Sequence, residues 1–185
     1  MATVAQAMSV IRRPDFLPPD QRPLAGRDRP LPIGRGQTNS QPRTVAAMLE
    51  LLQVRPGDRV LDLGSGSGWT TALLGCLVGP EGSVTGVELE ESLAAWGAQN
   101  VAAYRMPWVR IHTAQEGLGW PADAPYDRIL VSASARQVPA ELLNQLAPAG
   151  RMVIPVQGVM LVVTPDGEGG WMATAHGAYR FVQLR

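Results

Sequence analysis

Asp62-Leu63-Gly64-Ser65-Gly66-Ser67-Gly68 places an acid ahead of three glycines at alternate positions. Lacking a Cβ, glycine lets the backbone bend sharply and lets a ligand lie directly on the main chain. Trp69 to Leu77 follows as an apolar, helix-compatible run, whose free N–H groups and positive dipole end would face the same space. Such a loop binds a nucleotide-like molecule. Glu88 ends the next apolar run, about twenty residues past the glycines, where an acid hydrogen-bonds ribose hydroxyls. A glycine turn that binds nothing requires no such order of strand, loop, helix, strand and terminal acid.

The dinucleotide fingerprint is G-x-G-x-x-G, and its third glycine would fall on Trp69. The spacing here is G-x-G-x-G preceded by Asp62, which resembles the motif of class I S-adenosylmethionine-dependent methyltransferases. Asp62, Gly64, Ser65, Gly66 and Gly68 are therefore expected around the methionine end of that cofactor, and Glu88 at its ribose.

A second polar stretch, Pro32 to Pro42, holds Gly34, Gly36, Thr38, Asn39 and Ser40. It reads as a loop, with Pro42 suited to start a helix over Arg43 to Leu52. One of Thr38, Asn39 or Ser40 capping that helix is the plainer account. A cap needs one such residue, and here a whole polar loop precedes the helix leading into the first core strand.

These residues need a frame. Residues 1–32 carry Pro14, Pro18, Pro19, Pro23, Pro30 and Pro32, which rule out a long helix. An irregular arm packed over the ligand-binding face is expected there, its first ten residues possible as a helix. Residues 33–185 read as one domain. Strands are expected at Val60–Leu63, Ser83–Glu88, Val109–Thr113, Asp127–Val131 and Gly150–Pro155. Helices are expected at Trp69–Leu77, Glu91–Tyr104 and Val138–Leu146, with Gly79-Pro80-Glu81-Gly82 as a stop signal. That alternation implies an α/β, Rossmann-like, doubly wound and mostly parallel sheet. Val159–Val163 and Trp171–Leu184, joined through Pro165 to Gly170, read as an antiparallel C-terminal strand pair completing seven strands.

Composition narrows the partners. The 185 residues carry 16 basic and 16 acidic side chains, and every basic one is arginine. Zero net charge speaks against a nucleic-acid substrate. Up to Arg43, seven arginines face three aspartates, so the arm suits an anionic partner or is simply a solvated charged segment. No run reaches the length of a membrane helix and no signal-peptide core is present, so a cytoplasmic, monomeric protein is expected. Cys76 lies within an apolar run as core filler, and His112 and His176 are isolated, so no metal site is expected.

The segment Leu31-Pro32-Ile33-Gly34-x-Gly36-Gln37-Thr38-x-Ser40-Gln41-Pro42, ahead of Leu61–Gly68, resembles the protein-L-isoaspartate O-methyltransferase family. So do Arg13-x-x-Phe16-x-Pro18, Gly119-Trp120-Pro121, Ala124-Pro125-Tyr126-Asp127, Gln145-Leu146, Gly150-Arg151-x-Val153-Ile154-Pro155 and Phe181-Val182-x-Leu184. The resemblance implies the class I methyltransferase fold and methyl transfer from S-adenosyl-L-methionine, leaving S-adenosyl-L-homocysteine. The acceptor it implies is the carboxylate of an isoaspartyl residue in a damaged protein or peptide. It places Ser40, with Thr38, beside both the sulfonium and the acceptor carboxylate, and Gln115 near the adenine. Asn39 stands where the family carries an aliphatic residue, Gly26 where an aromatic is common, and Gln115 where it has an aspartate. Asn39 is accordingly expected to bear on which carboxylate is accepted. Two alternatives stay open: a relative that methylates a specific peptide aspartate or a small molecule, and a non-catalytic S-adenosylmethionine-binding domain.

Overall fold

The computed structural model describes residues 2–185, so Met1, the start of the expected arm, lies outside the described residues. In chain order the elements are α1 (Val4–Val10), β1 (Leu31–Gly34), β2 (Gln37–Asn39), α2 (Pro42–Leu52), β3 (Arg59–Leu63), α3 (Trp69–Val78) and β4 (Ser83–Glu88). Then come α4 (Glu91–Ala102), β5 (Val109–Thr113), β6 (Tyr126–Val131), α5 (Ala140–Leu143), β7 (Leu146–Val156), β8 (Val159–Pro165) and β9 (Trp171–Ala178).

Seven strands form one sheet in the order β5-β4-β3-β6-β7-β8-β9. The pairs from β5 through β7 are parallel, and β7–β8 and β8–β9 are antiparallel. The order reverses at β3, so the crevice for a ligand opens at the C-terminal ends of β3, β4 and β6. Central strands buried on both faces read as continuous apolar runs, and β3 shows why. Val60 packs with Ala72, Leu73 and Leu130 on one face, while Leu61 and Leu63 pack with Ile129, Val131 and Ile154 on the other. α3 is apolar all round because the sheet, α1 and α4 enclose it.

The arm differs from the expectation in where it packs, and its first ten residues hold a helix. Thr3 Oγ1 accepts from Gln6 N and Gln6 Oε1 from Thr3 N, a reciprocal capping box that starts α1. Val4, Ala7 and Ile11 are buried with residues of α2 and α3, so the arm lies against those helices and borders the crevice only at Pro30. Beyond Ile11 the prolines allow only short 3-10 turns at Arg13–Phe16 and Arg22–Leu24.

Three further boundaries differ. The expected loop at residues 32–42 contains a β1–β2 hairpin, turned through Gly34, Arg35 and Gly36 at positive φ. The expected helix Val138–Leu146 is only the four residues of α5, and β7 starts at Leu146 instead of Gly150. Gln145 forces that change: its carbonyl accepts from Tyr126 N, and its buried amide bonds Trp120 N and the carbonyls of Leu118 and Glu141. The expected strand to Leu184 stops at Ala178, just after Gly177 at φ 96°. The tail then pairs with Ser134 instead of β8.

α2 ends on Gln53, exposed and held in the left-handed region at φ 54°, ψ 49°. A side chain there costs roughly 1–2 kcal/mol that glycine does not incur. Gln53→Gly should therefore raise the thermal midpoint by a few degrees, after about 1 kcal/mol of added backbone entropy is offset. A lower midpoint would mean that the Gln53 side chain contributes contacts of its own.

Candidate active site

The glycine loop is pinned from three directions. Gly64, Gly66 and Gly68 have φ of 84°, 54° and 90°. A Cβ on Gly68 would sit 2.9 Å from Gly97 O of α4, and a Cβ on Gly97 would sit 2.9 Å from Gly66 O. Loop and helix backbones thus touch, and glycine is required on both sides of the contact. One turn on, Asn100 Nδ2 donates to Ser67 O at 2.9 Å. From β4, Glu88 Oε2 accepts from Gly66 N at 2.8 Å while Oε1 accepts from Glu90 N at 3.0 Å. Glu88 is 7% exposed, and each oxygen keeps a lone pair for a hydroxyl arriving in the crevice.

Asp62 lies behind the loop. It is fully buried, and Oδ2 accepts from Thr71 Oγ1 of α3 at 2.6 Å while Oδ1 has no partner. Burial pushes its carboxyl up from 3.8 to about 7, opposed by the Thr71 hydroxyl and reinforced by the negative charge of Glu88.

A second wall of the cavity is the β1–β2 hairpin. Ile33 lies over the glycine loop, 3.3 Å from where a Gly66 Cβ would be. Strand alternation turns Asn39 inward, 5% exposed, at the inner edge of the cavity that Thr38 and Ser40 also line. The Asn39 amide is held at both ends: Oδ1 accepts from Arg13 Nε at 2.8 Å and Nδ2 donates to Ser67 Oγ at 3.3 Å. It thereby supports the hairpin while also lining the cavity, so an effect on which carboxylate is accepted would run through the position of Ser40 as well as through direct contact. The plainer capping account of Thr38–Ser40 fails. The α2 N-terminus is served from the arm, where Asp28 Oδ1 accepts from Arg43 N at 3.0 Å and Oδ2 from Gln41 Nε2. Those bonds hold the Asp28 carboxyl below its ordinary range, the Arg43 amide contributing most.

One cavity of about 940 Å³ joins these parts, large for a small-molecule site. Thr38, Ser40, Gly64, Ser65, Gly66, Glu88 and Gln115 all border it, with Gln115 at an exposed rim. Asp62 and Gly68 do not, and they act on it only through the loop they shape. Ser65 Oγ, buried without a partner in this wall, is an orphaned polar atom of the kind a bound ligand satisfies. The residues present thus fit an adenosyl-methionine ligand: Glu88 toward the ribose, Gly64–Gly66 and Ser65 under the methionine part, and Gln115 at the outer edge. Two contributors escaped sequence reasoning. Tyr179 to Leu184 crosses the mouth of the cavity, a placement hidden by its strand-like composition. Ser132 and Ala133, at the end of β6, carry no motif of their own.

Against known proteins, the family model described as Protein-L-isoaspartate(D-aspartate) O-methyltransferase (PCMT) matches residues 1–184. A protein-L-isoaspartate O-methyltransferase of Methanopyrus kandleri is 46% identical over 188 residues, covering 98% of this chain and 82% of its own. One of Methanothrix thermoacetophila is 46% identical over 168 residues, covering 89% and 80%. A solved protein-L-isoaspartate O-methyltransferase superposes with TM-score 0.88 at 25% identity over 98% of this chain, which spans 61% of that structure. A second, from Plasmodium falciparum in complex with S-adenosyl-L-homocysteine, gives TM-score 0.85 at 24% identity, covering 98% and 89%.

The buried carboxyl of Asp62 carries a pH signature. Its folded pKa of about 7 lies above the unfolded 3.8, so the native state holds the extra proton between these values. Its contribution to stability is whole below about pH 4, declines as pH rises toward 7, and is flat above. Asp62→Asn should flatten the dependence of the thermal midpoint on pH across that window. An unchanged slope would exclude Asp62 as its source.

Proposed function

Because the chain belongs to the protein-L-isoaspartate(D-aspartate) O-methyltransferase family, we propose that this cavity methylates the free α-carboxylate of L-isoaspartyl residues, whose side-chain carboxyl is taken up in the peptide linkage, in damaged proteins and peptides. The observation that carries it is the meeting of two walls in one cavity: Glu88 with the glycine loop, and Thr38 with Ser40 across from them. A cofactor wall alone would serve many methyl acceptors.

S-adenosyl-L-methionine supplies an activated methyl on a sulfonium. The residues of this chain then have little acid–base work to do, because an isoaspartyl carboxylate is ionised at neutral pH and is already the nucleophile. Glu88 holds the ribose end, and the glycine loop holds the methionine end. Ser40 donates its hydroxyl proton in a hydrogen bond to the acceptor carboxylate and turns one oxygen toward the methyl group, with Thr38 beside it. The Tyr179–Leu184 segment limits water at the mouth. Such positioning can lower a barrier by roughly 7–11 kcal/mol at best. The ester product cyclises by attack of the following backbone nitrogen, which expels methanol, and hydrolysis of the ring can restore an aspartyl linkage. The acceptor is a peptide segment, and a cytoplasmic setting and a monomeric form belong to the same proposal.

Methyl transfer from labelled S-adenosylmethionine should mark an isoaspartyl peptide and leave the matched aspartyl peptide unlabelled. Label on neither, with cofactor binding intact by calorimetry, would move the function to another acceptor or to binding alone. Ser40→Ala should lower kcat about tenfold, the order of one hydrogen bond at ~1.4 kcal/mol, with cofactor affinity kept. Unchanged turnover would remove Ser40 from the reaction. Glu88→Ala should weaken the cofactor by about 1.5–3 kcal/mol, the range for a hydrogen bond to a charged group, and an unaltered Kd would sink that role.

A further inference from the structure

Arg13 lies outside the cavity and is 5% exposed, yet no carboxylate oxygen is bonded to it. Its donors go to Asn39 Oδ1 and to five main-chain carbonyls. Nη1 reaches Ala25 O at 3.1 Å and Arg27 O at 2.9 Å; Nη2 reaches Arg29 O at 2.8 Å, Asn39 O at 3.1 Å and Ser40 O at 3.0 Å. The guanidinium also sits 5.5 Å over the Trp69 ring, whose Nε1 donates to Ile11 O. Burial lowers its pKa from 12.5 to about 10, opposed by the charge of Asp28, so it stays a cation at neutral pH.

The partners lie on two sides of the hairpin. Ala25, Arg27 and Arg29 precede β1, whereas Asn39 and Ser40 close β2 and open α2. Asn39 then extends the contact to Ser67 Oγ of the glycine loop, whose carbonyl Asn100 already holds. An unbroken polar line thus runs from Arg13 in the arm, through the Asn39 side chain, to Ser67 of the glycine loop, with Ser40 O held by the same guanidinium.

We infer that Arg13 and Asn39 are positioning residues of this site, Arg13 locking the backbone of Ser40 and Asn39 tying it in register to Ser67 of the glycine loop. The inference deepens the proposed function and rests on it for its kinetic consequences, since an in-line transfer fails when acceptor and donor walls are each intact but offset. Errors of about 1 Å in such alignments can cost 100-fold in rate.

The test centres on Asn39→Leu, close in size and without hydrogen bonds. It should lower kcat on an isoaspartyl peptide at least fivefold while the KM for peptide and the Kd for S-adenosylhomocysteine change less than twofold. Asn39→Asp keeps an oxygen for Arg13 and for the Ser67 hydroxyl, and should recover at least half of kcat. If the link runs through Ser67, Ser67→Ala added to Asn39→Leu should cost no more than Asn39→Leu alone. An undiminished kcat in Asn39→Leu, an Asp variant as poor as Leu, or strictly additive losses would each overturn the inference.

Amide hydrogen exchange separates this from the fate of the proposed function. Without any activity, Asn39→Leu should still speed exchange over residues 37–41 at least fivefold and leave β3 unchanged. Unchanged exchange there would refute the lock even in an active enzyme. An inactive wild type with the expected exchange would refute the acceptor assignment alone. Arg13→Lys, which cannot span both sides of the hairpin, should show the same local loosening. Where it unfolds the protein instead, the Asn39 variants decide.

Discussion

The contact of the glycine loop with α4 at Gly97 governs the site. Two backbones meet there with no side chain between them, and the clearance is below what a Cβ permits on either partner. Everything around it follows from that approach. The left-handed turn of Gly66 presents its N–H to Glu88, Gly68 can begin α3, and Asn100 comes within reach of Ser67 O. Close-packed interiors transmit small displacements, so an added methyl group at this crossing would move both the Glu88 carboxylate and the glycine-loop wall of the cavity.

Glu88 has two tasks that reinforce each other. Taking a carboxylate to 7% exposure is costly unless its lone pairs are met, and the amides of Gly66 and Glu90 meet two of them. The same bonds fix the direction of the remaining lone pairs toward the cavity. Asp62, one strand away, meets its own burial differently. It keeps a proton to about pH 7 and contributes a bond to Thr71, so the neighbouring acids do not both press negative charge on the loop at lower pH. The transfer itself joins an anion to a cation and yields neutral products, which suits a wall with so few formal charges.

The doubly wound sheet, the glycine loop and Glu88 were legible because each rests on local, periodic or short-range signals: apolar runs, alternate glycines, an acid at a strand end. The hairpin at residues 31–39 was not, since its polar, glycine-rich sequence has no alternation to announce pairing, and its turn uses a left-handed Arg35. The early start of β7 escaped for another reason. Helix-compatible residues through Leu146 are overruled at Gln145, whose side-chain amide ties the loop at residues 118–120 to α5 while its carbonyl pairs with Tyr126 of β6. Arg13 stood out in the sequence only through the resemblance, and Asn39 only as one of several polar residues in a loop or as a departure from the family. Their joint burial is a tertiary fact, formed across 26 positions of chain.

The guanidinium of Arg13 bears on how this chain can change over time. Main-chain carbonyls belong to every residue type, so the lock holds a route of the backbone and is blind to what the route is made of. The side chains at Ala25, Arg27 and Arg29 can drift without touching it, and the arm is free to acquire new surface chemistry beside the mouth of the cavity. Arg13 itself has no such freedom. Variation is thereby permitted next to the acceptor and barred one layer beneath it, an arrangement in which recognition of protein substrates can diversify while the transfer geometry is inherited unchanged.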